Sequence, residues 1–271
     1  MLIPFQAVAL ESEPFLREEV RFNLLHTIAG GELAVGLQAE DGGAIALANP
    51  GRNMWLWVDE SRGDAYAASL IAELAERLKD SRLPGVASTP EHANRFLAEY
   101  CPRSGARAGK SLRLMAYACP AVKTPAGISG GWRKAQEEHA ETVADFLCGF
   151  QMDCFQTQTD REEALAGANG MISSGKLLVW ETDGKTVCMG GAFRNFVRHA
   201  KLGPVYTPPE ERNKGYAAAL TAVVSQQVLD EGLLPILFAD ADYPASNKAY
   251  RNVGYVSAGD VEEVVLLYDI S

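Results

Sequence analysis

The stretch YTPPEERNKGYAAALTAV, Tyr206–Val223, constrains the fold more than any other part of this 271-residue chain. Two prolines and a run of charges stand in front of an alanine-rich helix, and that helix keeps a glycine, Gly215, in its first turn. Glycine inside a helix costs about 1 kcal/mol relative to alanine. Alanines occupy 217–219, so alanine is acceptable nearby, and the glycine implies that something approaches the backbone closely. The first turn of a helix leaves its N–H groups unpaired and carries the positive end of the dipole, which together suit an anion. Arg212 and Lys214 add full positive charge at the same place. A diphosphate fits there; the competing reading is a plain helix start after Pro208 and Pro209 with solvated basic residues.

Composition sets outer bounds. The chain is 47% hydrophobic, enough for one large or two ordinary globular domains. Its 25 Lys+Arg against 35 Asp+Glu give a net charge of -10, which argues against a nucleic-acid partner because phosphate neutralisation needs a basic face. The N-terminal residues lack a basic segment followed by an unbroken apolar run, and no later stretch reaches the ~18 apolar residues of a membrane span. A soluble, cytoplasmic protein with no membrane partner is expected, as a monomer or a homodimer. Cys101, Cys119, Cys148, Cys154 and Cys188 are odd in number and never at C-x-x-C spacing, so neither disulfides nor a metal site is expected.

A Pro/Gly/Ser-rich run, CPAVKTPAGISGGW, has the composition of a linker or of a short entry strand, places a boundary near residue 122 and predicts two domains, 1–122 and 123–271. In the first, NMWLWVDE and SLRLMAYAC read as strands, and Asp64–Lys79 reads as a helix with Ala67, Leu70, Ile71, Leu74, Ala75 and Leu78 on one face. Thr89 caps a second helix that begins at Pro90. In the second, GWRKAQEEHAETVADFLCGFQ and TDREEALAGANGMIS read as helices, the latter opened by a Thr159–Glu162 capping box. The strands KLLVWE, TVCMGGAFRN and AKLGPVYT follow, the first two joined by the hairpin signal TDGK. A helix ending before Gly232, the strand PILFAD, a short helix around Ser246–Asn252, and strands near Tyr255 and in EEVVLLYD complete the chain. The two halves echo each other faintly.

Nucleotide loops are distinguishable by their glycines, and neither G-x-x-x-x-G-K-[S/T] nor G-x-G-x-x-G is present. The strand, R-x-x-G-x-A and helix order, carried by Arg212, Gly215 and Ala217, instead resembles the GNAT acyltransferase superfamily. A second match strengthens the resemblance: in FADADYPASNKAYRNVGY, the residues Ser246, Asn247, Tyr250, Gly254 and Tyr255 are similar to the family's helix after its fifth strand. Glu211 and Asn213 depart from the family pattern, which makes the local charge less favourable without removing backbone amides. The motifs cover the second half; the first resembles the fold only in pattern.

The resemblance implies an α/β fold of GNAT type, a mixed, mostly antiparallel sheet flanked by helices, in tandem with a diverged, smaller α/β half that lacks the phosphate loop. It implies acetyl-CoA as co-substrate, no metal, and transfer of an acetyl group to a primary amine of a small molecule or an amino terminus by direct attack on the thioester. The alternative is a non-catalytic acyl-CoA sensor. Arg212, Asn213, Lys214, Gly215, Tyr216 and Ala217 would hold the diphosphate, and backbone at Val205, Tyr206 and Thr207 would bond the pantetheine arm. Asn247 would bond the pantetheine or adjoining backbone, or cap its helix, and Tyr250 would bind there and protonate the departing sulfur. A phenol with reference pKa near 10 stays protonated near neutrality. Glu181 and His199 are the candidate bases for the ammonium proton. His139 reads as a surface or packing residue, Asp240 as a loop cap, and Trp132 and Arg133 as the entry to a helix or as packing.

Overall fold

The structure, a computed structural model, describes residues 1–194 and 197–269, with only the backbone described at Phe155 and Ala245. Asn195, at the end of an expected strand, lies outside the described residues. The chain divides into two compact units: Met1–Ala116, Phe238–Asp242 and Ser257–Ser271 form unit 1, while Tyr117–Leu237 and Tyr243–Val256 form unit 2. The single cut expected after residue 122 is replaced by this partition. The last strand supplies Val261, Val264 and Leu266 to the cores of unit 1, and buried apolar surface outweighs the local composition that suggested a linker.

Unit 1 starts with β1 (Leu2–Pro4) and short helical turns: Ala7–Glu11, α1 (Glu13–Leu16), α2 (Glu19–Phe22) and α3 (Leu24–Ala29). Then come β2 (Val35–Ala39), β3 (Ala44–Ala48), β4 (Met54–Val58), α4 (Asp64–Leu78), β5 (Gly85–Ser88), α5 (Pro90–Ser104) and β6 (Ala106–Ala118, of which 106–116 belong here). Strand β12 (Val256–Tyr268) joins them, and the order is β1-β2-β3-β4-β5-β12-β6. Strands β3 and β4 are buried on both faces. Met54, Leu56 and Val58 pack with α4 and α5, whereas Trp55 and Trp57 pack with α1, α2 and α3. The helix face read from the sequence for α4 is the buried face, residue for residue. Thr89 caps α5 by accepting from His92 N–H at 3.2 Å.

Unit 2 contains β7 (Gly131–Lys134), α6 (Ala140–Phe155), α7 (Arg161–Ser173), β8 (Leu177–Thr182), β9 (Lys185–Phe193), β10 (His199–Leu202), α8 (Tyr216–Asp230), β11 (Leu234–Asp240, through Leu237) and α9 (Pro244–Val253). Its strand order is β11-β10-β9-β8-β7. The units repeat one pattern. In each, three successive antiparallel pairs lead to a parallel pair reached through a helix: β1/β2, β2/β3, β3/β4, then β4/β5, against β7/β8, β8/β9, β9/β10, then β10/β11. The faint sequence echo is thus a repeat of topology. The TDGK turn closes β8 and β9 with Asp183 and Gly184 both at positive φ, 49° and 73°.

Three local readings are corrected. Residues 131–134 are a strand rather than the start of a helix, because Trp132 and Arg133 pair with Trp180 and Val179 and cross-strand pairing overrides their helical spacing. The cap of α7 is Asp160, whose carboxylate accepts from Glu162 and Glu163 N–H at 2.8 and 3.2 Å, in place of Thr159. The strand expected over AKLGPVYT stops at Leu202 and resumes only as an isolated bridge at Tyr206, since Pro204 has no N–H to give to a ladder.

Candidate active site

Strands β10 and β11 pair over three residues, His199–Lys201 with Leu234–Ile236. Beyond that the edge opens. Tyr206 exchanges both backbone hydrogen bonds with Met189, each 3.0 Å, so the backbone groups of its neighbours Val205 and Thr207 point away from β9. Among the described residues, Val205 and the Thr207 N–H have no backbone partner, while the Thr207 carbonyl accepts from Arg212 Nε at 3.0 Å. This is the stretch expected to bond an extended ligand arm, and its donors and acceptor are free for that. The Tyr206 ring packs on Phe146, with centroids 5.6 Å apart, and its hydroxyl sits where a Cβ on Gly149 would be.

The loop after this edge leads into α8. Gly215 is the N-cap of the helix rather than a residue of its first turn, at φ 88°, and Asn213 is also left-handed at φ 64°. Asparagine tolerates that conformation better than most residues with a side chain. No side chain caps α8 and its first turn holds no acidic residue, so its leading amides and dipole are uncompensated. Tyr216 is buried and Ala217 half-buried behind them. Both cations of the loop are already engaged. The Arg212 guanidinium pairs with Asp153 and lies over the Tyr206 ring, and Lys214 Nζ meets Glu211 at 2.7 Å. They shape the loop, and the positive potential comes chiefly from the backbone.

Helix α9 brings Asn247 and Tyr250. Asn247 is 4% exposed and is an interior residue of the helix, whose N-cap is Tyr243. Its Oδ1 accepts from the Tyr117 hydroxyl at 2.9 Å and its Nδ2 donates to the Tyr243 carbonyl at 3.0 Å, while Arg251 donates to the same Tyr117 oxygen at 3.2 Å. Asn247 therefore bonds adjoining backbone and is not the cap of its helix. The Tyr250 ring lies 5.9 Å from that of Tyr255 and 6.4 Å from that of Tyr117. Burial, then the Cys154 and Cys188 thiols, pushes its phenol up to about 12. Cys188 is fully buried and also pushed up to about 12 by burial, against a smaller opposing effect of Thr207. Thr207, Cys188 and Tyr250 therefore share one neighbourhood.

Glu181 and His199 are not brought together. Glu181 lies opposite Thr186 near one end of β9, whereas His199 begins β10, whose next residues pair with Phe193 and Ala192 at the other end. The register slips between Trp180 and Glu181, a bulge that re-aims the carboxylate. His139, expected as a surface or packing residue, is buried at 4% and is the carboxylate's partner. Gln136 N–H donates to its Nδ1 at 2.9 Å, which leaves Nε2–H to donate to Glu181 Oε1 at 3.0 Å. Arg133 Nε meets the other oxygen at 3.2 Å. Sequence spacing gave no sign of this pair, since 42 positions separate its members. Asp240 does act as a loop cap, accepting from Asp242 N–H at 2.9 Å.

An open strand edge thus leads to an uncapped helix N-terminus, with Tyr250 on the following helix. Residues 140–255 match the model of the acetyltransferase (GNAT) family. The fold is shared with solved proteins over nearly the whole chain. A GCN5-related N-acetyltransferase from Sphaerobacter thermophilus aligns at TM-score 0.60 and 18% identity, covering 99% of this chain and 96% of its own. A GNAT-family acetyltransferase from Colwellia psychrerythraea aligns at 0.56 and 12% identity, with 98% and 100% covered. One from Kribbella flavida gives 0.54, 16%, 92% and 95%. No curated protein sequence matches the chain significantly. Among the described residues no helix is long and apolar enough to cross a membrane, and no cluster of His, Cys, Asp or Glu could hold a metal ion.

Proposed function

We propose that unit 2 is an acetyl-CoA-dependent N-acetyltransferase acting on a primary amine of a small molecule or an amino terminus. The observation that carries this reading is the backbone of Val205 and the Thr207 N–H, without backbone partners among the described residues, running into the uncapped N-terminus of α8. These residues fit the co-substrate: the edge offers hydrogen bonds to an extended amide-bearing arm, and the helix terminus offers amides to a diphosphate. Unit 1 makes the contrast. Its corresponding helix, α4, has the acidic Asp64 in its first turn, whereas the first turn of α8 has no acidic residue. Unit 1 is read as the cofactor-free half.

Acetyl-CoA supplies an activated acyl group on a thiol leaving group. The chain's own work is to orient and to move protons. Backbone at Val205 and Thr207 holds the arm, Asn247 fixes α9, and the Tyr250 hydroxyl keeps its proton at neutral pH and gives it up to the departing sulfur. Glu181, held by His139 and Arg133, is the stronger of the two candidate bases because it stands toward the end of β8 and β9 that lies beyond Tyr206, whereas His199 stands at the opposite end. The test is to incubate the full chain with acetyl-CoA and a panel of primary amines, and to follow free thiol. Amine-dependent thiol release is the expected result; binding of acetyl-CoA without release for any amine would replace the enzyme with the sensor reading.

A further inference from the structure

The topological repeat provides an internal control for Gly215. In unit 1 the helix α4 also begins with a glycine N-cap at positive φ, Gly63 at φ 80° and ψ 171° against ψ 0° at Gly215, and a Cβ added there would meet nothing within 4 Å. A glycine N-cap at positive φ thus occurs here without a close neighbour. In unit 2 the equivalent Gly215, at φ 88°, has the Ile128 side chain packed where its Cβ would be. Ile128 comes from residues 119–130, the segment joining β6 to β7.

That segment is fastened on both sides of Ile128. Cys119 N–H donates to the Pro235 carbonyl at 2.9 Å and Lys123 N–H to the Val253 carbonyl at 2.7 Å. Its far end is held by Trp180 Nε1–H, which donates to the Ser129 carbonyl at 2.9 Å, and by Gly130, whose missing Cβ lets it lie against the Glu181 carbonyl. Between these anchors only 124–128 are free to arch, and Pro125 stiffens the arch. An arch tied at both ends is a wall rather than a lid.

From this we infer that Ile128 is a binding determinant for the diphosphate of the co-substrate, forming an apolar flank to the N-terminus of α8. An apolar side chain beside unpaired amides keeps water from competing for them and lowers the local dielectric, so their hydrogen bonds to an anion strengthen. The inference rests on the acyl-CoA reading of the same site and adds to it a residue that lies outside both sequence motifs.

The test is calorimetric titration of coenzyme A, and separately of inorganic pyrophosphate, into the full-length protein and its Ile128→Ala and Ile128→Leu forms, with melting curves to confirm folding. Ile128→Ala should weaken coenzyme A binding about tenfold, the size of one hydrogen bond to a charged group, and weaken pyrophosphate in proportion. Ile128→Leu, which restores the apolar volume, should bind within about twofold of the unaltered protein and serves as the readout if the alanine form melts early. Unchanged or tighter binding by folded Ile128→Ala overturns the inference while leaving the acyl-CoA reading intact. Absence of coenzyme A binding by the unaltered protein overturns both.

Discussion

Burial pushes the Tyr250 phenol up to about 12, which keeps its proton on the oxygen and available as a hydrogen bond to the departing sulfur, although a thiol, with a reference pKa near 8.5, is the stronger acid. Tyr250→Phe is expected to lower kcat by roughly 10²–10⁴-fold, the usual worth of a general acid, with coenzyme A affinity unchanged. The phenol holds its proton up to about 12, so turnover in the unaltered protein should not fall between pH 8 and about 10 through loss of this proton. Steady-state rates over that range check both statements. Glu181 belongs to the same scale. Its two oxygens are directed by His139 and Arg133, and Glu181→Gln, which keeps the shape and loses the base, should cut kcat by roughly 10²-fold or more while the melting temperature barely moves. A Glu181→Gln form with full turnover would return the role of base to solvent.

At the scale of elements, α9 is positioned by one buried amide. Asn247 uses Oδ1 on Tyr117 and Nδ2 on the Tyr243 carbonyl, and the helix that it fixes carries Tyr250 one turn further on. Asn247→Ala should destabilise the protein by about 1–2 kcal/mol, because it leaves the Tyr117 hydroxyl without its acceptor and takes one of two donors from the Tyr243 carbonyl. It should lower kcat more than it raises KM, since the displaced group acts on the leaving sulfur. Denaturant unfolding and steady-state kinetics on one preparation measure both. Much of this level was legible in the chain: α4, α5, α8, α9 and the β8/β9 hairpin follow from apolar spacing, Thr89, Gly232 and the TDGK turn. Strand β7 was legible only as one of two readings of the run ending at Trp132, because its four exposed residues owe their conformation to pairing with β8 and carry no strong preference of their own.

At the scale of the whole molecule, several phenols titrate together. Tyr66, Tyr255 and Tyr268 are raised by burial, and Tyr250 with them, above the value near 10 of an unfolded chain. Above about pH 10 the unfolded state therefore binds fewer protons than the folded one, and stability must fall as pH rises. Melting temperature should be flat toward neutrality and drop steeply beyond about pH 10; a flat profile to pH 12 would contradict the burial of these rings. The partition into units gives a second expectation. A fragment of residues 123–271 keeps the family segment, yet it strands β12, whose Val261, Val264 and Leu266 are buried in the cores of unit 1. Such a fragment should be less soluble and melt less cooperatively than the full chain, as circular dichroism on heating would show.

The amino-acid order alone determined the elements with strong local signals, the class of fold, and the two motifs around Gly215 and Tyr250, because turn glycines, caps and apolar periodicity act within a few residues. Only the tertiary structure decided that His139 holds Glu181, that Ile128 fills the space above Gly215, and that the final strand completes unit 1. Those contacts join residues 42, 87 and more than a hundred positions apart, and what selects them is burial and hydrogen-bond satisfaction across the folded chain. No local pattern encodes a partner at that distance.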